Sequence, residues 1–171
     1  MMRTVRYAEG TRVAVESSRA EVERLFRKCG ATRIAIDDDT GAGVATLTVL
    51  LGERAFRFRV VRPTLDDARK MRTGGRPPRA GELEKLVDDE WRRRWRVLLL
   101  VSKAKLELVS SGESTPEREF LADLVMPGGR TLAEIVVPKI AAAYARGGPP
   151  RLGPGPSNRS DDGVLDEEDI G

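Results

Sequence analysis

The spacing of apolar residues divides the chain into a strand-rich first part and a helical second part. Between residues 31 and 61 apolar and polar residues alternate in three stretches, ATRIAID, VATLTVLL and RAFRFRVV, separated by glycine-containing turns. This pattern predicts three strands joined by hairpins. An earlier alternating stretch, RVAVE at 12–16, predicts one more strand, and a Ser18–Glu21 capping box then predicts a helix that Gly30 ends.

Helical spacing dominates after residue 80. It predicts a long central helix from about Glu82 to Ser110. Two further capping boxes, at Ser114 and Thr131, predict two shorter helices, of which the first runs through Phe120 to Val125 and the second reaches Arg146. The expected fold class is α+β, with a β-α-β-β-β sheet unit followed by the long central helix and the two shorter C-terminal helices.

On the central helix Trp91 and Trp95 are four residues apart and share one face, which Leu98, Val101 and Leu108 continue. Large aromatic residues that lead into an aliphatic helix are typical of a core edge. Two alternatives remain for the tryptophans: platforms on which bases stack, or a face buried against a protein partner.

Composition removes several classes of chemistry. The 171 residues include no histidine and one cysteine, Cys29. Serine–histidine and cysteine–histidine nucleophiles and histidine-ligated metals are therefore impossible for this chain alone, and so is an internal disulfide. Cys29 is expected to pack as a small apolar side chain. We expect no cofactor, no membrane segment because no apolar run is long enough, and a cytoplasmic location in a bacterial cell.

Charge is distributed unevenly along the chain. The net charge is +3, but residues 153–171 contain one arginine and six acidic residues, which leaves +8 on residues 1–152. The expected organisation is an N-terminal arm at 1–10, one domain at 11–148 with a long basic loop at 63–81, and a disordered glycine- and proline-rich linker with an acidic tail at 149–171.

Three basic groups are the main functional signal. Arginines near aromatic residues neutralise phosphates and stack on bases, and the connectivity allows all three groups to lie on one side of the molecule. The opposing interpretation is that the helix arginines pair with the acidic residues 88–90 along the same helix. The candidate nucleic-acid-binding residues are Arg33, Arg57 and Arg59 on the strands, Arg69, Lys70, Arg72, Arg76 and Arg79 in the loop, and Arg92, Arg93 and Arg96 on the central helix.

Three adjacent acids, Asp37 to Asp39, suggest a Mg²⁺ site of a metal-dependent nuclease only as a minor possibility, because adjacent residues in a turn point in different directions. No catalytic residue or metal ligand is assigned, and the chain is not expected to be an enzyme.

The acidic tail resembles, in layout alone, the tail of bacterial single-stranded-DNA-binding proteins, where an acidic tip recruits partners and competes with DNA. This chain ends in DEEDIG, lacks their terminal proline-phenylalanine, and does not show their five-stranded barrel. A solubilising tail is the alternative. The candidate docking residues of the tip are Asp166, Glu167, Glu168, Asp169 and Ile170.

From about residue 11 to 155 the chain resembles short bacteriophage and prophage proteins of high-GC bacteria, a group without an established function. The segments that carry this resemblance are TRVAVESSRAEVERLFRKCGATR, WRRRWRVLLLVSKAKLELVSSG, EREFLADLVMPGGRTLAE and AAYARGGPPRLGPG. The resemblance implies a phage setting, in which small basic proteins often act in replication or recombination. The expected function is non-catalytic binding of nucleic acid, with single-stranded DNA as the favoured form. The alternative is a protein-interaction module or homo-oligomer, such as a modulator of a host enzyme.

Overall fold

The computed structural model describes residues 12–71 and 76–147. The predicted arm at 1–10, Arg72 and the tail at 149–171 lie outside the described residues. The elements in chain order are α1 Val15–Lys28, β1 Ala31–Asp39, β2 Val44–Leu51, β3 Arg54–Val61, α2 Leu65–Lys70, α3 Leu83–Ser110, α4 Pro116–Glu119 and α5 Leu132–Gly147. The α+β class and the long central helix are confirmed.

The chain divides into two compact units that join between Val137 and Pro138, within α5. The sheet and helices α1 to α4 belong to the first unit. The second unit contributes only the end of α5 to the described residues, and the side chains there are exposed, including those of Ile140 and Tyr144.

The sheet has three antiparallel strands in the order β1-β2-β3, joined by two hairpins. In the second hairpin Gly52 has a φ of 60°, a left-handed conformation that glycine adopts without steric cost. The register aligns Ile36 with Leu47 and Leu47 with Phe58, so that these three side chains share one face of the sheet. That face is the core face.

Helices α1 and α3 supply the rest of the core. Phe26 of α1 lies 5.6 Å, centroid to centroid, from Phe58 of β3, and Phe120 lies 5.5 Å from Phe58 in an edge-on arrangement. Leu99 of α3 joins the same cluster. Such edge-on and tilted contacts are favourable for aromatic pairs, and they attach α1 and Phe120 to the core face, while Leu99 attaches α3.

The first predicted strand is wrong. Val15, which the alternation of residues 12–16 assigns to a strand, begins α1 and is buried beside Ala45, Val60 and Trp95. The Ser18 capping box is wrong as well, because Ser18 lies inside the helix and is fully buried. The stretch is short enough for either structure, and burial of Val15 against the tryptophans favours the helix.

The loop at 63–81 contains a helix that was not predicted. Thr64 caps α2 by accepting a hydrogen bond from the Asp67 backbone N–H, and Asp67 accepts one in return from the Thr64 N–H. The pKa of Asp67 is lowered mainly by that backbone hydrogen bond. A reciprocal pair of this kind satisfies two backbone donors at the helix start, and it orders a segment that composition alone suggests to be irregular.

The predicted position of α3 is confirmed, but its buried face is rotated from the expected one. Val101 is 47% exposed and Leu108 is 39% exposed, so the expectation that they continue the core is wrong. Leu98 is half-buried at the margin of the core. The buried side chains recur three or four residues apart, at Trp91, Trp95, Leu99, Ser102 and Leu106.

The segment after α3 differs from the expected helix. Helix α4 ends at Glu119, and Leu124 and Val125 instead pair with the free side of β3, where the Val125 N–H donates to the Ala55 carbonyl at 2.8 Å. The Thr131–Glu134 capping box at the start of α5 is confirmed by reciprocal hydrogen bonds of 2.9 and 3.3 Å.

Candidate nucleic-acid interface

The outer face of the sheet, opposite α1 and α3, displays basic side chains. Strand alternation places Arg33 of β1 and Arg57 and Arg59 of β3 on this face, and we call these three the outer-face arginines. Thr46 and Thr48 of β2 lie between them. No outward-facing side chain of β2 or β3 is buried, so the face is accessible to solvent.

Within the described residues none of the outer-face arginines forms an ion pair. The Arg57 guanidinium donates a hydrogen bond to the Gly129 carbonyl at 2.9 Å. A carbonyl has no net charge, so this hydrogen bond does not neutralise the Arg57 guanidinium.

Carboxylates lie near this face, but within the described residues they form no ion pair with its arginines. Asp37 shares a cross-strand row with Thr46 and Arg59, and the Asp39 carboxylate accepts a hydrogen bond from the Ala42 N–H at 2.8 Å. The pKa of Glu134 is lowered first by the Thr131 backbone N–H, with smaller effects from the charges of Arg57 and Arg59. The outer face is therefore mixed in charge, and its arginines on β3 form the most basic part.

The arginines of α3, namely Arg92, Arg93, Arg94 and Arg96, have a different environment. Glu90 is only 7% exposed and accepts hydrogen bonds from Arg93 at 2.7 and 2.6 Å and from Arg94 at 3.3 Å. Burial raises the pKa of Glu90, but the hydrogen bonds and charges of these two arginines outweigh it and hold the pKa below its usual value. Arg92 pairs with Asp89 at 2.6 Å, and Arg96 pairs with Glu21 of α1 at 3.2 Å.

Two basic groups are thus separated by the sheet. Helix α3 packs on the core face, where Trp95 and Leu99 meet the sheet, whereas Arg57 and Arg59 project from the outer face. The expectation that the strand and helix groups lie on one side of the molecule does not hold. The helix group is also largely neutralised by its own acids, as the opposing interpretation of the sequence held.

Two of the four described members of the loop group form ion pairs. Arg76 binds both carboxylate oxygens of Glu82, and Arg69 pairs with Asp66 on α2. Lys70 and Arg79 are exposed and form no ion pair with the described residues. The hydrogen bonds from Arg76 lower the pKa of Glu82 to about 2.

The two tryptophans lie in the core, in agreement with the core interpretation. Trp91 is 8% exposed and Trp95 is 0% exposed, and their rings meet edge-on at 5.9 Å. This leaves no exposed indole face on which a base stacks or through which the pair contacts a protein partner. The tail residues 166–170 lie outside the described residues.

Sequence reasoning missed Arg19, which closes the tryptophan cluster. Its guanidinium lies 4.5 Å from the centroid of the Trp95 ring and pairs with Asp38 at 2.6 Å. The spacing between residues 19 and 95 gives no local signal for this contact, since it depends on how α1 and α3 pack.

The predicted packing of Cys29 is confirmed, because it is half-buried against the aromatic core, with its Sγ 3.5 Å from Ser110 Oγ. In the part of the chain that the structure describes, no group of three or more acidic or cysteine side chains converges as a metal site would require. Among the described residues no helix is both long and apolar enough to cross a membrane.

Comparison with known proteins adds no relative: no family model, no curated protein and no solved structure matches the chain.

Proposed function

We propose that this protein binds nucleic acid without catalysis, with single-stranded DNA as the favoured form, and acts as a phage accessory protein in replication or recombination. The observation that carries the proposal is the outer face of the sheet, where Arg33, Arg57 and Arg59 surround small threonine side chains and form no ion pair with any residue of 12–71 or 76–147. The resemblance of the sequence to phage proteins supports the biological setting.

The geometry suits an extended strand of nucleic acid. Arg57 and Arg59 are two residues apart on β3 and are therefore about 7 Å apart along the strand, whereas Arg33 lies two strands away and two residues out of register with Arg57, at about 12 Å. The threonines between them add hydroxyl groups that donate to phosphate or sugar oxygens. An extended backbone that crosses the face can reach cations on both edges of the sheet.

The binding is expected to depend on charge and hardly on sequence. The outward-facing positions of the three strands hold no aromatic side chain, so base stacking contributes little on this face. What remains is phosphate neutralisation with release of counterions, which weakens steeply with salt.

The test is fluorescence anisotropy of a labelled oligothymidine, with the full chain at about 50 and about 200 mM salt. The variant carries Arg57→Glu and Arg59→Glu, and the matched control carries Lys85→Glu and Lys103→Glu, two exposed cations of α3 with the same change of net charge. The Arg57/Arg59 variant should lose at least about tenfold in affinity at low salt. Its salt slope should fall by about 1.4, because each contact to a single strand contributes about 0.7.

Two outcomes would overturn the proposal. One is a wild-type protein that does not bind the oligonucleotide even at low salt. The other is an equal loss of affinity in the matched control, which would assign the effect to overall charge rather than to the outer face.

The acidic tail provides a second test. Deletion of residues 153–171 removes a net charge of −5 that can compete with phosphates for the basic body. The truncated protein should bind more tightly at low salt, and the difference should vanish near 0.5 M, where the Debye length is about 4 Å. Equal or weaker binding at low salt would leave the tail as a solubilising segment or as a docking site for another protein.

A further inference from the structure

The two edge strands of the sheet, β1 and β3, differ in whether another segment pairs with their outer side. On the β3 side Leu124 and Val125 pair with the strand. On the other side β1 pairs only with β2, and in the described parts of the chain, 12–71 and 76–147, no segment pairs with its free edge. A nine-residue edge strand offers a row of backbone donors and acceptors to another strand unless something blocks it.

The core side of this edge is open too. A groove of about 630 Å³ runs between α1 and β1 and is bordered by Ile36 and Asp38 of the strand and by Arg19, Glu23 and Arg27 of the helix. Ile34 and Ile36 are only partly buried, because they stand at the margin of the core next to the free edge. A further strand beside β1 would cover them.

We propose that two copies of this chain pair through the free edges of β1, antiparallel and about a two-fold axis at Ala35, so that two three-stranded sheets become one of six strands. The inference does not rest on the proposed nucleic-acid binding, although the dimer would pair Arg33, one of the outer-face arginines, with Asp37 of the other copy. It rests on the open edge and on a charge pattern in β1 that complements itself.

That pattern appears when β1 is laid against a second β1. With Ala35 opposite Ala35 of the other copy, Arg33 faces Asp37 on the outer face, and the symmetry gives this pair twice. On the core face Ile34 meets Ile36, also twice. Side chains directly opposite in an antiparallel pair have Cβ atoms about 5 Å apart, which is within reach of an arginine–aspartate ion pair.

Shifting the β1–β1 pairing by one residue in either direction gives less favourable contacts. The two outer faces stay on the same side only if the axis passes through a residue, so the centre moves in whole residues. A centre at Ile34 sets Arg33 against Ala35 and loses the ion pair. A centre at Ile36 sets Ile34 against Asp38 and buries a carboxylate beside an apolar side chain. The register at Ala35 alone satisfies both faces.

The expected state in solution is a dimer, and the assay is light scattering after size exclusion, without nucleic acid. Arg33→Asp places two acids opposite each other at both pairs, and Asp37→Arg places two arginines there, so each single variant should be monomeric. Both residues are exposed, and circular dichroism should show that both variants remain folded.

Mixing these two variants is the sharpest part of the experiment. In the mixed pair each aspartate of one chain faces an arginine of the other, so an equimolar mixture should recover the mass of two chains. The double variant with Arg33→Asp and Asp37→Arg should dimerise by itself. As a matched control Glu53→Arg, in the exposed turn between β2 and β3, should leave the dimer intact.

A monomeric wild type at the highest accessible concentration would overturn the proposal. So would single variants that dimerise like the wild type, or a mixture that stays monomeric although both variants are folded. The mass is measured without nucleic acid, and the binding test changes Arg57 and Arg59 but not Arg33, so failure of the dimer and failure of oligonucleotide binding can be told apart.

Discussion

The α3 arginines and the outer-face arginines are the same residue type in two environments. On α3 three of the four arginines follow an acid by one helical turn: Asp89 precedes Arg92 by three residues, and Glu90 precedes Arg93 and Arg94 by three and four, whereas Arg96 pairs with Glu21 of α1. Helical periodicity brings such residues together on one surface, so local acids neutralise the local bases. The result is a half-buried ionic network that holds α3.

On β3 the periodicity is two, and it has the opposite effect. Arg57 and Arg59 share a face with each other, while their cross-strand neighbours are Thr48 and Thr46 rather than acids. Alternation along the strand therefore brings like charges together on one face of the sheet, whereas helical spacing on α3 brings opposite charges together. A count of arginines along the sequence therefore overstates the basic surface on α3. On the sheet, the alternation of the sequence places Arg57 and Arg59 on one face, as the structure does.

The largest effect should come from the core that anchors the α3 arginines. Trp95→Ala is expected to lower the free energy of unfolding by about 3–5 kcal/mol, since Trp95 is fully buried and Arg19 packs on its ring. Val101→Ala on the exposed side of α3 should change it by less than about 0.5 kcal/mol. Chemical denaturation measures both values. Similar losses of stability for the two variants would contradict the conclusion that the Trp95 side of α3 is buried and the Val101 side is exposed.

The ionic network itself should give the next largest effect. Glu90→Gln keeps a hydrogen-bond acceptor but removes the negative charge that Glu90 presents to Arg93 and Arg94, whose side chains are 22% and 30% exposed. We expect a loss of about 1–3 kcal/mol. The matched change Asp89→Asn, at a more exposed pair, should cost less than about 1 kcal/mol. Equal costs would mean that burial of Glu90 contributes nothing.

Much of this contrast can be predicted from the sequence, because it depends on local periodicity. The hairpins, the bounds of α3 and the basic side of β3 follow from spacing alone. Which side of α3 is buried does not follow from spacing, because five successive apolar residues, 97–101, place an apolar side chain on every side of the helix. Which of them is buried is decided by the sheet and by α1, which are distant in sequence.

The strand predicted at 12–16 failed for a related reason. Alternation over five residues fits a strand, but Val15 also fits the first turn of a helix that packs on Trp95. Contacts such as Arg19 on Trp95, or Val125 on Ala55, join residues far apart in sequence and leave no local pattern. Long-range packing decided these elements, and single-sequence periodicity does not contain it.

Acid should lower the free energy of unfolding through the carboxylates that pair with arginines, whereas the outer-face arginines have no such ion pair in the described residues. The pKa of Glu82 is lowered to about 2 by Arg76, so the pair stabilises the fold above pH 4.5, and this stability is lost as the pH falls through about 2. Glu90, whose pKa is also lowered, acts in the same direction. Between pH 4.5 and 2 the stability of Glu82→Gln should fall less steeply than that of the wild type, by at most one proton of linkage.

Removal of the partner provides the control for this pH dependence. Arg76→Ala should also make the curve shallower, but less than Glu82→Gln does, because Glu82 loses the hydrogen bonds from Arg76 and keeps the one from the Arg79 N–H. Urea denaturation over this pH range measures the slope. Parallel curves for the wild type and both variants would show that the Arg76–Glu82 pair does not persist in solution.

The smallest change in the free energy of unfolding should come from substitutions of the outer-face arginines. Arg59 is exposed and forms no ion pair or hydrogen bond with the described residues, so Arg59→Ala should change the free energy of unfolding by less than about 0.5 kcal/mol. Arg57→Ala should cost slightly more, because Arg57 donates to the Gly129 carbonyl. The same two variants should nevertheless weaken oligonucleotide binding. A loss of stability as large as that of Glu90→Gln would show that these arginines are structural, and the contrast between the two regions would then disappear.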